Sequence, residues 1–120
     1  MVERHVDVIS LNELADKQLE EARKANSGRS GHTVFGGHEH SLRQTLLALA
    51  AGHGLDEHAS PGEATLQVLR GRVRLQAQQG SAELSAGDYI LIPLERHSLE
   101  VLEDSVILLT VVPGTREATG

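Results

Sequence analysis

The chain contains no cysteine, which excludes a disulfide framework, a thiolate zinc site, a thiol nucleophile and a redox dithiol. Aromatic residues are almost as scarce: there is no Trp, and Phe35 and Tyr89 are the single Phe and Tyr. Single-strand nucleic-acid platforms stack bases on aromatic faces, and phosphate-tracking grooves need a basic surface. Here eleven Lys and Arg stand against seventeen Asp and Glu, a formal net charge of −6, so no nucleic-acid partner is expected. Long apolar runs are missing as well. Leu46 to Ala51 and Val106 to Leu109 are far too short to cross a bilayer. The first residues scatter their charges and lead into no apolar core of a signal peptide. The expectation is a cytoplasmic protein with no membrane partner.

What is present fits one domain, since 120 residues rarely divide into two cores. Residues 1–9 alternate weakly around Val6, Val8 and Ile9, as an edge strand or extended arm does. Ser10 and Glu13 then form a capping-box pattern, and Leu11, Leu14, Ala15, Leu19 and Ala22 share one helical stripe. This predicts a helix to about Ala25, with Gly28 as a left-handed C-cap in the breaker cluster 26–31. Everything after Gly31 reads as β: short stretches rich in Val, Leu, Ile and Thr, separated by Gly and Pro. Strands are predicted at 32–36, 40–50, 55–59, 64–70, 72–78, 82–84, 89–93, 97–101 and 105–112. The expected organisation is an arm and helix over 1–31 and a mainly β barrel or sandwich over 32–120.

Alternation assigns faces within these strands. Leu66, Val68, Val73, Leu75, Ile90, Ile92, Ile107 and Leu109 are expected to fill the interior, and Arg72 and Arg74 to point outward. Arg70 shares the parity of Val68 and faces inward unless the chain is already turning into Gly71. The run Leu46-Leu47-Ala48-Leu49-Ala50 does not alternate, as in a strand covered on both sides or lying in a subunit interface.

Seven histidines in a cysteine-free β-protein raise a metal hypothesis, because imidazole is the commonest transition-metal ligand. His38 and His40 share a face if they lie on a strand, but Gly36-Gly37 before them is equally the start of a turn. A longer pattern runs from Gly52 through His58 to Gly71, and a second from Gly87 through Pro93 to His97. These resemble the two motifs of the cupin superfamily in order and in the spacing of Gly52, His58, Gly71, Gly87 and Pro93. The resemblance covers roughly residues 40–112 and implies a small single-domain bacterial cupin. The implied fold is a double-stranded β-helix, or jelly-roll barrel, with one N-terminal α-helix.

The resemblance also implies a metal held by two His and a Glu from the first motif and one His from the second. This chain departs from that set. Ser60 replaces the second His, Ala64 stands at the Glu position with Glu63 one residue away, Glu95 replaces a Gly, His97 arrives one residue early, and the closing Asn is absent. His58 and His97 remain, with Glu63, His40 or Gln44 as a third ligand to Fe, Mn, Ni or Zn. Two readings stay open. One is a metal-dependent enzyme of dioxygenase or isomerase type; the other is a pocket without metal that binds or senses a small molecule between His58, Ser60, His97 and Gln44. A homodimer formed through the Leu46–Ala50 strand and the N-terminal arm is compatible with either.

Overall fold

A computed structural model of the chain describes residues 7–114. Ser10 begins the first regular element: its backbone is extended, and its side-chain oxygen accepts the Glu13 N–H at 3.2 Å, which satisfies one of the free donors of a helix start. Helix α1 (Leu11–Lys24) follows, burying Ala15, Gln18, Leu19 and Ala22, with Arg23 and Lys24 in its last turn, where cations complement the helix dipole. It ends at Ala25, whose extended backbone bonds to the Glu21 and Ala22 carbonyls. Gly28 does take a left-handed φ of 67°, but three residues past that end. It belongs to the turn into the sheet, its N–H donating to Ala25 O at 3.0 Å, and is not the helix cap. Of the arm, residues 7–10 carry no regular structure and residues 1–6 lie outside the described residues.

Nine strands follow: β1 (Arg29–Phe35), β2 (Arg43–Leu49), β3 (Leu55–His58), β4 (Gly62–Arg70), β5 (Arg72–Ala77), β6 (Gly80–Ser85), β7 (Tyr89–Leu91), β8 (His97–Val101) and β9 (Ser105–Pro113). They form two antiparallel sheets, ordered β1-β2-β9-β4-β7 and β3-β8-β5-β6. Gly52, Gly71 and Gly87 turn the chain between strands with φ of 83°, 83° and 93°, conformations that side chains with a Cβ resist. The expected strand over 40–50 begins only at Arg43. His40 N–H closes a turn onto Gly37 O at 3.1 Å, so His38 and His40 do not share a strand face.

The two sheets enclose a core built from Leu49, Ala64, Leu66, Val68, Val73, Leu75, Leu84, Ile92, Leu99, Val101 and Ile107, with Ile90 and Leu109 packed against it. The whole expected interior set is there. A second cluster lies outside the larger sheet, where Ala15, Leu19 and Ala22 of α1 cover Leu46, Ala48 and Val106. This explains the run without alternation: β2 is buried on both faces within one chain, by the barrel on one side and α1 on the other.

Arg70 takes the exception that its place before Gly71 left open, and does not face inward with Val68. The β4–β9 ladder shifts register between Val68 and Arg70, and such a bulge turns the following side chain to the opposite face. Arg70 therefore reaches α1, where it pairs with Asp16 and donates to Asn12 O at 3.2 Å. Arg72 and Arg74 do face outward. Glu83 and Glu103 bracket Arg72, and Glu100 sits 2.8 Å from Arg74. The hydrogen bonds that Arg72 donates to Glu83 first and then to Glu103 hold its guanidinium above its ordinary pKa.

Candidate functional site

His58 ends β3 and His97 begins β8, and the antiparallel ladder sets them directly opposite one another. Their rings meet edge to face with centroids 4.6 Å apart. The one-residue-early position of His97 thus still delivers it to its partner. Close approach of the two strands depends on Gly54, because a Cβ there would fall 2.1 Å from the Leu99 carbonyl oxygen. On the opposite side of the same strand pair, Arg96 Nε donates to Glu57 Oε1 at 3.1 Å and Arg96 Nη2 to Glu57 O at 3.4 Å. That pair brackets the register that aligns the histidines.

Each ring is oriented by its own backbone. The Nδ1 of His58 lies 2.8 Å from Asp56 O, and the Nδ1 of His97 lies 2.8 Å from Glu95 O. A carbonyl oxygen only accepts, so Nδ1 carries the proton in both rings. In the neutral ring Nε2 then holds a lone pair, free to accept a hydrogen bond or to bind a metal. His97 is 6% exposed, whereas His58 lies at the surface.

Both histidines line a cavity of about 120 Å³. The remaining wall is apolar: Leu55, Pro61, Ala64, Leu66, Leu75, Ile92, Leu99, Leu109 and Val111. Leu55 and His58 both face it despite their odd spacing, because the β3–β8 ladder shifts register between them. Alternation assigns them to opposite faces, so sequence reading missed Leu55. Leu99, also missed, had a usable signal in its alternation with His97 and Val101.

The other sequence candidates lie elsewhere. Ser60 donates its hydroxyl to Gly62 O at 2.7 Å, and Gln44 donates to Thr110 Oγ1 at 3.3 Å. Glu63 is exposed on β4, next to the buried Ala64 that does line the cavity. The His40 ring packs on Phe35 at 4.8 Å between centroids. None of these four lines the cavity. Among the described residues no three His, Cys, Asp or Glu side chains come together as a metal site. Two imidazoles and an apolar wall fall one donor short of the three protein ligands a catalytic transition metal ordinarily takes, so the donor set does not fit a resident metal.

No protein-family profile and no curated protein matches the chain. Solved structures do. A conserved protein of unknown function from Streptococcus pyogenes superposes with a TM-score of 0.69 at 23% identity, covering 97% of this chain and 93% of that one. An RmlC-like cupin from Shewanella frigidimarina gives 0.66 at 19% identity over 77% and 81% of the two chains. A cupin superfamily protein from Desulfitobacterium hafniense gives 0.65 at 14% identity over 71% and 77%. The fold is therefore the cupin β-barrel with one added helix. Among the described residues no helix is long and apolar enough to cross a membrane.

Proposed function

We propose that this cupin-fold chain binds a small, mostly apolar molecule carrying one hydroxyl, which donates to the Nε2 of His58 or His97 without a bridging metal. The observation that carries this reading is the composition of the cavity wall: nine apolar residues and two imidazoles, with no carboxylate. An engineered apolar cavity of about 150 Å³ holds benzene, so 120 Å³ suits a ligand of about six non-hydrogen atoms. Burial of that body supplies the affinity, and the imidazole lone pair selects the hydroxyl. A hydroxyl brought into an apolar cavity without an acceptor loses its hydrogen bonds to water, at a cost of about 1 to 3 kcal/mol. A neighbouring Nε2 removes that cost.

Phenol and benzene test this directly. In chelator-treated protein phenol is expected to raise the thermal midpoint more than benzene at equal concentration, because a ligand of the folded state stabilises by mass action. The His58→Ala, His97→Ala double variant is expected to lose the difference between the two. Equal shifts in the parent protein, or none, would overturn the reading.

A further inference from the structure

The sheet also carries an open surface pocket, of about 230 Å³ and lined mostly by exposed residues, where β1 and β2 meet their connecting turn. It is lined by Thr33, Phe35, His38, Arg43 and Thr45, with Gly36 and Gly37, and shares no residue with the His58–His97 cavity. Arg43 stands apart from most of the protein's arginines. Arg23, Arg70, Arg72, Arg74 and Arg96 are each paired with a carboxylate. In a chain of net charge −6, Arg43 has no ion pair among the described residues. Its place is nonetheless built. Gly36 has a φ of 124°, and a Cβ there would fall 2.9 Å from the Leu42 carbonyl oxygen and 3.0 Å from the Arg43 Cα and Cγ, so glycine at 36 is what admits the backbone at the start of β2 together with the arginine stem.

Thr33 and Thr45 are direct cross-strand partners, which sets their side chains on one face at about 5 Å. Neither hydroxyl has a hydrogen-bond partner among the described residues. The turn that breaks the His38–His40 pair leaves His38 in this pocket and the His40 ring against Phe35.

We propose that Arg43, Thr33, Thr45 and His38 form a binding site for a small organic carboxylate. The guanidinium fork matches a carboxylate in geometry and charge. The two hydroxyls are further donors, and the Phe35 ring is an apolar wall for the body of the ligand. Volume and this aromatic wall favour an organic acid over an inorganic anion. The inference is independent of the His58–His97 reading, since it uses other residues.

Benzoate is the probe, followed by amide and Arg Nε signals in two-dimensional NMR of the full chain. Saturable shifts are expected at Thr33, Gly36, Gly37, Thr45 and the Arg43 Nε, and none of them with benzamide, its neutral analogue. Arg43→Gln is expected to weaken binding about tenfold or more, the scale of a lost charge-assisted hydrogen-bond pair. Arg43→Lys, which keeps the charge but not the fork, is expected to weaken it less. Equal binding of benzamide, equal binding by both variants, or saturation of the same signals by sulfate at equal affinity would overturn the proposal. So would benzoate shifts confined to residues lining the other cavity.

Discussion

Asp104 ties three segments together. Its Oδ1 accepts the Ala51 N–H at 2.8 Å after β2, and its Oδ2 accepts Arg23 Nε at 2.8 Å from α1. The Ala51 N–H first, and then Arg23, hold its carboxyl below the ordinary value of 3.8. A carboxyl depressed in the folded state stabilises the fold above its unfolded pKa and loses that contribution as pH falls through the folded one. Part of the acid sensitivity below about pH 4 is therefore expected to come from this residue. Asp104→Asn should cost about 1 kcal/mol or less at pH 7, reduced by solvent screening, and the gap from the parent should shrink at pH 3. Urea unfolding at the two pH values checks this; a gap of constant size would contradict it. At Ala64 the prediction concerns the donor set. Ala64→Glu adds a carboxylate to the wall that holds the two histidines, so this variant is expected to acquire a stoichiometric divalent metal that the parent protein lacks. Elemental analysis of both untagged proteins decides, and a parent protein already carrying a full equivalent would contradict the two-donor description.

The strands and helix were legible because Gly and Pro punctuate them and the apolar periods change from helical to alternating. Bulges were not legible. One inserted residue reverses the faces of everything beyond it, and neither the shift before Arg70 nor the shift between Leu55 and His58 has a sequence signature. The same limit applies to β2: the run Leu46 to Ala50 fits a strand covered on both sides or one lying in a subunit interface, and only the packing of α1 on Leu46 and Ala48 shows what covers that face. Leu46→Ala should therefore open a cavity beneath the helix and cost about 2 to 5 kcal/mol, read from denaturant unfolding. A cost below 1 kcal/mol would mean that α1 collapses onto the gap or docks weakly. At β3, Gly54→Ala places a methyl group against the Leu99 carbonyl. It should separate the β3–β8 pair and abolish the phenol response even with both histidines present; an intact response would show that strand contact does not position them.

At the scale of the whole molecule, neither Phe35 nor Tyr89 reaches the barrel cavity, whose walls are aliphatic and whose polar side chains are two imidazoles. The fold was legible from spaced glycines, one proline and two histidines, since these mark turns and strand ends that the barrel requires. The candidate site was legible only as the His58 and His97 pair. Ser60, Gln44, Glu63 and His40 are close in sequence or strand order, yet local hydrogen bonds, strand parity and a turn direct them elsewhere. The Arg43 pocket was not legible as a site, because the β1–β2 register brings Thr45 to Thr33 and the turn after Phe35 brings His38 to the same place. Whether His58 and His97 accept a ligand hydroxyl through Nε2 without a metal is read from imidazole ¹⁵N NMR during a phenol titration in the presence of a chelator. Saturable shifts are expected at the Nε2 of one or both rings, with Nδ1 remaining protonated. Nε2 signals that stay fixed in chelator and move only after a divalent metal is added would contradict the reading without a metal.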